Sequence, residues 1–206
     1  MKLLLHACCG PCACYPLEKL RAEGLEPAVL YYNPNIHPYQ EFKRRLAALR
    51  ELCSKRQTEL FIDKRYELET CLRGMLDEPD LRCAYCYRTR LEYTARFAKE
   101  HGFDAFSTTL LVSIYQKHEL VKKLAQEAAA KYDIPFYYED FRSGYERGKE
   151  LSLELGLYRQ PYCGCIFSER DCFEQLKKGQ ANDGSLTRVS KQLAIVNRSY
   201  SVPRLS

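Results

Sequence analysis

Seven of the eleven cysteines fall into three tight clusters that lie far apart along the chain. They are His6-Ala7-Cys8-Cys9-Gly10-Pro11-Cys12, Cys83-Ala84-Tyr85-Cys86 and Cys163-Gly164-Cys165. Thiolates are soft ligands, and thiols grouped at such spacings hold a metal or exchange electrons. An iron–sulfur cluster is the first expectation. Cys14, Cys53, Cys71 and Cys172 stand inside helical patterns and are expected to be small buried hydrophobes.

Each cluster suits its own chemistry. Adjacent cysteines such as Cys8 and Cys9 are poorly placed to bond each other. At the amino end of a helix, backbone N–H groups and the helix dipole stabilise thiolates, which favours metal binding. Cys83-x-x-Cys86 opens a helix and offers two ligands to one ion or cluster; structural zinc is the competing use. Cys8, Cys9, Cys83 and Cys86 together suit a four-thiolate zinc site or a 4Fe–4S cluster, and spacing does not decide between them. Cys163-Gly164-Cys165 would form a strained, easily reduced disulfide. It is the best candidate for a dithiol that delivers two electrons, with metal ligation by both thiols as the alternative.

These groups must be positioned by a fold. The chain has 206 residues, enough for one compact domain with its own core. Short apolar runs at residues 2–7, 27–32, 59–63, 104–108 and 135–138 read as strands. Helical patterns cover 12–23, 39–55, 66–72, 83–101, 116–132, 144–155 and 168–178. Strands alternating with helices predict an open, mainly parallel α/β sheet with flanking helices. Sites in such sheets form at the carboxyl ends of the strands. Cys8 and Cys9 would lie just past the first strand, and Asp140 and Arg142 just past the fifth. We expect residues 1–178 to form a single metallo-domain and residues 179–206 a polar, basic tail.

Composition narrows the setting. Only three leucines precede His6, too few for a secretory apolar region. No run approaches the roughly 18 apolar residues of a membrane span, so no membrane partner is expected. The expected setting is the reducing cytoplasm, where clustered cysteines mean metal or catalysis. Net charge is +5, with Lys43, Arg44, Arg45, Arg50, Lys55 and Arg56 crowded on one helical stretch. That stretch is either a solvated face or a surface for nucleic-acid phosphates, with tyrosines available for base stacking. The chain lacks G-x-x-x-x-G-K-[ST] and G-x-G-x-x-G, so thiols stand where a nucleotide-binding loop would hold glycines.

The motifs, taken in order, resemble the QueH-type, cobalamin-independent epoxyqueuosine reductases. The resemblance is carried by Leu4-Leu5-His6-Ala7-Cys8-Cys9-Gly10-Pro11-Cys12, Tyr32-Asn33-Pro34-Asn35-Ile36-His37-Pro38 and Cys83-x-x-Cys86-Tyr87-x-x-Arg90. It continues through Ser107-Thr108-Thr109-Leu110-Leu111, Tyr115-Gln116 and Asp140-Phe141-Arg142 to Tyr158-Arg159-Gln160-Pro161-Tyr162-Cys163-Gly164-Cys165. The segment beyond about residue 178 takes no part in it.

The resemblance implies reduction of the epoxide of epoxyqueuosine, at the wobble position of tRNA, to the cyclopentene of queuosine. This is the last step of queuosine synthesis. It implies a Rossmann-like domain of the adenine nucleotide α-hydrolase type. By motif, a 4Fe–4S cluster falls on Cys8, Cys9, Cys83 and Cys86, and Cys163 and Cys165 become the redox-active pair. The excess of thiols leads us to expect a second, mononuclear iron beside the cluster. Its ligands would come from Cys12, Cys163, Cys165 and Asp140, and the epoxide oxygen would bind there. His6, Tyr115 and Arg142 are further candidates for proton donation or substrate contact. The expected partners are tRNA, presenting a splayed anticodon base, and an electron donor that the residues do not identify.

Two other functions compete. A sulfur-inserting tRNA enzyme on the same fold class would want an ATP-pyrophosphatase loop after the first strand, and none is present. A zinc-stabilised RNA-binding module would hold zinc without sulfide and would have no use for the C-x-C dithiol.

Overall fold

Buried apolar runs build the centre of the molecule. In the computed structural model, which describes residues 1–77 and 79–182, they form β1 (Leu3–His6), β2 (Ala28–Tyr31), β3 (Leu60–Ile62) and β4 (Ala105–Thr108). All pairings are parallel, in the order β3-β2-β1-β4. Every residue of β1, β2 and β4 is buried. That is why their sequences need not alternate polar with apolar: helices cover both faces. The chain divides into two compact units, Met1–Arg159 and Gln160–Ser206.

In the first unit the sheet is flanked by α1 (Gly10–Ala22), α2 (Tyr39–Lys55), α3 (Leu68–Leu76), α4 (Arg82–Glu100), α5 (His118–Tyr132) and α6 (Tyr145–Glu154). Leu17 and Leu20 of α1, Leu49 and Leu52 of α2, and Leu91 and Ala95 of α4 join the strands in one core. The boundary of α2 is the one the sequence pattern predicts. The helix α1 begins two residues earlier than predicted, because Pro11 sits in its first turn, where its missing N–H costs nothing. Gly10 is required there by packing. A Cβ at that position would lie 2.6 Å from the Ala48 carbonyl oxygen of α2.

The expected fifth strand is reduced to a single parallel bridge between Phe106 and Phe136. The Phe106 N–H donates to the Pro135 carbonyl at 3.0 Å, and the Tyr137 N–H to the Phe106 carbonyl at 2.8 Å. Pro135 has no N–H to extend the ladder on its amino side.

The strand order carries the functional consequence. The chain steps outward from β1 through β2 to β3, then returns to place β4 on the other side of β1. The crevice past the carboxyl ends of β1 and β4 is therefore the topological switch point, where open α/β sheets place their ligands.

The second unit contains Cys163-Gly164-Cys165 followed by α7 (Ile166–Asn182). Gly164 has φ +113, a conformation that favours glycine, so the residue between the two thiols is set by backbone geometry. Residues 183–206, most of the segment expected to be a basic tail, lie outside the described residues.

Candidate metal centre

The strand β1 ends at His6, and α1 starts four residues later, leaving Ala7, Cys8 and Cys9 to turn the chain at the switch point. Cys9 is the N-cap of α1 in extended conformation, and Cys12 lies in the helix's first turn. This geometry collects three sulfurs. The Sγ atoms of Cys8, Cys9 and Cys12 all lie within 4.8 Å of one another, and Cys8 and Cys9 are 3.8 Å apart. Among the described residues this is the one such group of three or more metal-ligating side chains.

The donor set suits a soft metal. A tetrahedral ion with metal–sulfur bonds of about 2.3 Å has an S–S edge of about 3.8 Å, the spacing that Cys8 and Cys9 adopt. Electrostatics agree with the geometry. Hydrogen bonds from Cys12 and Cys9 hold the Cys8 thiol well below its ordinary range, helped by Arg45 and Arg90. Cys9 also receives a lowering hydrogen bond from Cys12, but its bond to Cys8 and burial push it well up. Cys12 is pushed up by its bonds to Cys8 and Cys9. Within the trio these contacts favour the thiolate form at Cys8 over Cys9 and Cys12.

The neighbouring strand ends fix the trio. The Cys8 N–H donates to Thr109 Oγ1 at 3.3 Å, tying the loop after β1 to the one after β4. Asn33 Nδ2 donates to the Ala7 carbonyl at 2.9 Å. His6 Nε2 lies 3.1 Å from the Tyr32 carbonyl and so carries the proton, while Nδ1 faces Thr108 Oγ1 at 2.9 Å. Burial, then Arg90, lower the His6 pKa to about 4, so the ring is neutral and cross-links three strand ends.

Two buried guanidinium groups face the thiols. Arg90, on α4, donates from Nη2 to Cys86 Sγ and from Nε to the Cys86 carbonyl, both at 3.2 Å. It also interacts electrostatically with Cys8. Arg90 thus links the first turn of α4, which holds half-buried Cys83 and buried Cys86, to the Cys8 loop. Arg45, on α2, reaches Cys8 and Cys9 electrostatically. Its Nε donates to Glu41 Oε1 at 2.6 Å, and Glu41 Oε2 accepts from Tyr158 Oη at 2.6 Å.

This placement corrects the surface role expected of Arg45, which is 2% exposed. The signal was present in the sequence. Position 45 shares a helical face with Phe42, Leu49 and Leu52, and Glu41 stands four residues before it. Thr109 and Arg90 occur in the quoted motifs, but their contacts with Cys8 and Cys86 needed the fold.

The remaining predicted residues have partners of their own. Asp140 caps the 3-10 turn Phe141–Gly144 and accepts from the Arg142 guanidinium at 2.8 and 2.6 Å. Arg142 holds its carboxyl down to about 2, and His118 Nε2 is 4.0 Å away. Tyr115 is 68% exposed and stands edge-on to Tyr145. Cys163 and Cys165 belong to the second unit, where Cys165 Sγ lies 3.8 Å from Ser168 Oγ. Among the described residues no two cysteines form a disulfide. A groove of about 730 Å³, lined by Lys2, Arg21, Glu59 and His101, opens at the amino ends of the strands, the opposite end from the thiols.

Comparison with known proteins identifies the family. The signature described as "Epoxyqueuosine reductase QueH" matches residues 3–171. A Dehalococcoides mccartyi protein named epoxyqueuosine reductase QueH is 37% identical over 172 residues, covering 84% of this chain and 94% of its own length. A Staphylococcus epidermidis protein of the same name is 33% identical, covering 81% of this chain and 76% of its own. One from Thermotoga maritima is 34% identical, covering 81% and 89%. Among solved structures, a predicted subunit of tRNA methyltransferase from Methanocaldococcus jannaschii has a TM-score of 0.53 at 14% identity. It covers 75% of this chain and 76% of that one, a likeness of fold. Among the described residues no helix is long and apolar enough to cross a membrane. With its signature matched over most of its length and its thiols gathered at the switch point, the chain belongs to the QueH family of epoxyqueuosine reductases.

Proposed function

We propose that this protein removes the epoxide oxygen of epoxyqueuosine at the tRNA wobble position, giving queuosine, in the cytoplasm. The observation that carries this reading is the trio of buried Cys8 and Cys9 with half-buried Cys12 at the switch point, tied through Arg90 to Cys86, in a chain of this family. Cys8, Cys9, Cys83 and Cys86 are the proposed ligands of a 4Fe–4S cluster, which supplies single electrons when bound. With those four thiolates holding a cluster, Cys12 would be left over. Cys12 and Asp140 are the proposed ligands of a second iron. Residues 1–178 act as the metallo-domain.

The electron count is closed by the second thiol pair. The epoxide takes up two electrons and two protons, both C–O bonds break, and the oxygen leaves as water. Cys163 and Cys165 lose two electrons and two protons and form a disulfide. An external donor reduces that disulfide before the next turnover.

The test is anaerobic turnover on tRNA carrying epoxyqueuosine, read by mass spectrometry of digested nucleosides. Queuosine should form in the iron- and sulfide-loaded protein and be lost in Cys163→Ser. Loaded protein that leaves the epoxide intact with a reductant present overturns the reading. The 3.8 Å spacing of Cys8 and Cys9 also suits one zinc ion. In that second reading the protein is a zinc-held RNA-binding module: it purifies with zinc, takes up no sulfide and retains no turnover.

A further inference from the structure

We infer that Arg90 is a positioning residue of the metal centre: a buried, fixed cation that orients Cys86 and offsets the negative charge of the gathered thiolates. The inference rests on the reading of Cys8 and Cys86 as metal ligands, and concerns what holds them.

Arg90 is 3% exposed. A buried charge needs a partner, and removing that partner is strongly destabilising. Among the described residues no carboxylate pairs with Arg90. Its contacts are the Sγ and carbonyl of Cys86, each at 3.2 Å, and the face of Tyr87 at 5.8 Å. Its electrostatic partners are Cys86, Cys8 and Tyr87, and together these outweigh the burial that opposes its charge. Arg45 provides the contrast: it is as deeply buried, but Glu41 meets its charge at 2.6 Å. Arg90 is thus the guanidinium whose balance depends on sulfur.

Geometry adds orientation to charge. Arg90 lies one helical turn after Cys86, so its fork folds back over that residue, one nitrogen on the backbone and one on the thiol. A guanidinium is planar and always protonated, so this clamp persists at every working pH. Groups that hold a ligand from behind typically contribute about 10- to 100-fold to metal affinity. A cation beside a thiolate site also favours its more reduced, more negative state.

The test compares wild type with Arg90→Lys, Arg90→Gln and Arg90→Met. The first readout is cobalt(II) affinity of the metal-free protein, followed by thiolate-to-metal absorbance. It needs neither cluster nor tRNA. We expect Arg90→Met to bind cobalt about 10- to 100-fold more weakly. Arg90→Lys, which keeps the charge, should fall between wild type and Arg90→Gln. If Arg90→Met does not fold, the order of the lysine and glutamine variants decides. The second readout is the midpoint potential of the iron-loaded protein. The reduced-to-oxidised ratio at fixed potential should drop about tenfold in Arg90→Gln, a shift of about 59 mV for one electron. Wild-type affinity in both neutral variants, or Arg90→Gln outperforming Arg90→Lys, overturns the inference. Failure of turnover with the cobalt order intact would overturn the epoxide reading and leave Arg90's role standing.

Discussion

Two cysteines two positions apart receive opposite fates from their surroundings. Cys12 points into the trio, while Cys14 is 2% exposed and turns its thiol to the Gly10 carbonyl at 3.4 Å. Burial pushes the Cys14 thiol up to about 12, so it remains a neutral hydrophobe. Replacing Cys8 or Cys86 with serine should therefore abolish stoichiometric iron in reconstituted protein. Cys14→Ala should keep the iron and cost about 1 kcal/mol of stability. Iron and acid-labile sulfide analysis on the three variants, with a denaturant melt, checks both outcomes. His37 tells a similar story of burial. It is 1% exposed, lies edge-on to Tyr66 at 5.3 Å, and has its pKa pushed down to about 4 by burial. The unfolded chain takes up this proton near 6.5, and the folded protein only near 4. Stability from the neutral ring is thus whole above pH 6.5 and is lost as pH falls towards 4, by about 2 to 3 kcal/mol. Urea melts at pH 7 and 4.5 should show this loss in wild type and a smaller one in His37→Phe.

Between elements, the tightest constraint is the approach of α1 to α2. Gly10 would place a Cβ 2.6 Å from the Ala48 carbonyl oxygen and 2.9 Å from its carbon. Gly10→Ala must push the helices apart, costing about 1 to 3 kcal/mol. The same shift moves Cys9 and Cys12, so metal affinity should fall with the melting temperature. Because the obstacle is backbone, Ala48→Gly should restore neither; rescue by that change would show the contact to be misread. Element positions were largely legible in the sequence, since hydrophobic runs and helical spacing are local signals. The failures came where local signals are silent. At 135–138 the apolar run was visible, but it pairs through one bridge, and Pro135 has no N–H to extend that bridge on its amino side. On α2 the cations read as one surface, yet Arg45 turns inward to Glu41. The thiol trio was readable because its members are neighbours in sequence. The contact of Thr109 with Cys8 and the reach of Arg90 across to it depend on strand order, which no local spacing encodes.

At the scale of the molecule, α2 has two faces with different duties. Its inner face sends Arg45 towards the thiols. Its outer face exposes Lys43, Arg44 and Arg50, with Glu51 the exposed acid. Lys43 Nζ sits 5.7 Å from the ring of Tyr39, which is 51% exposed and starts the helix just past the carboxyl end of β2. Lys55 is engaged by Glu51 and the Leu155 carbonyl, and Arg44 lies over the Tyr158 ring at 5.9 Å; Lys43, Arg44 and Arg50 are the exposed cations that could meet phosphates. If these hold tRNA while the wobble base enters the switch point, binding must weaken with salt through counterion release. About three neutralised phosphates give a slope of about −2 in a plot of log(kcat/KM) against log[salt]. Replacing Lys43, Arg44 and Arg50 together with alanine should flatten that slope and raise KM. Cobalt affinity should stay unchanged, because none of the three faces the thiols. A slope near zero in wild type, or an unchanged slope in the triple variant, would move the tRNA surface to another face and leave α2 with its inner duty alone.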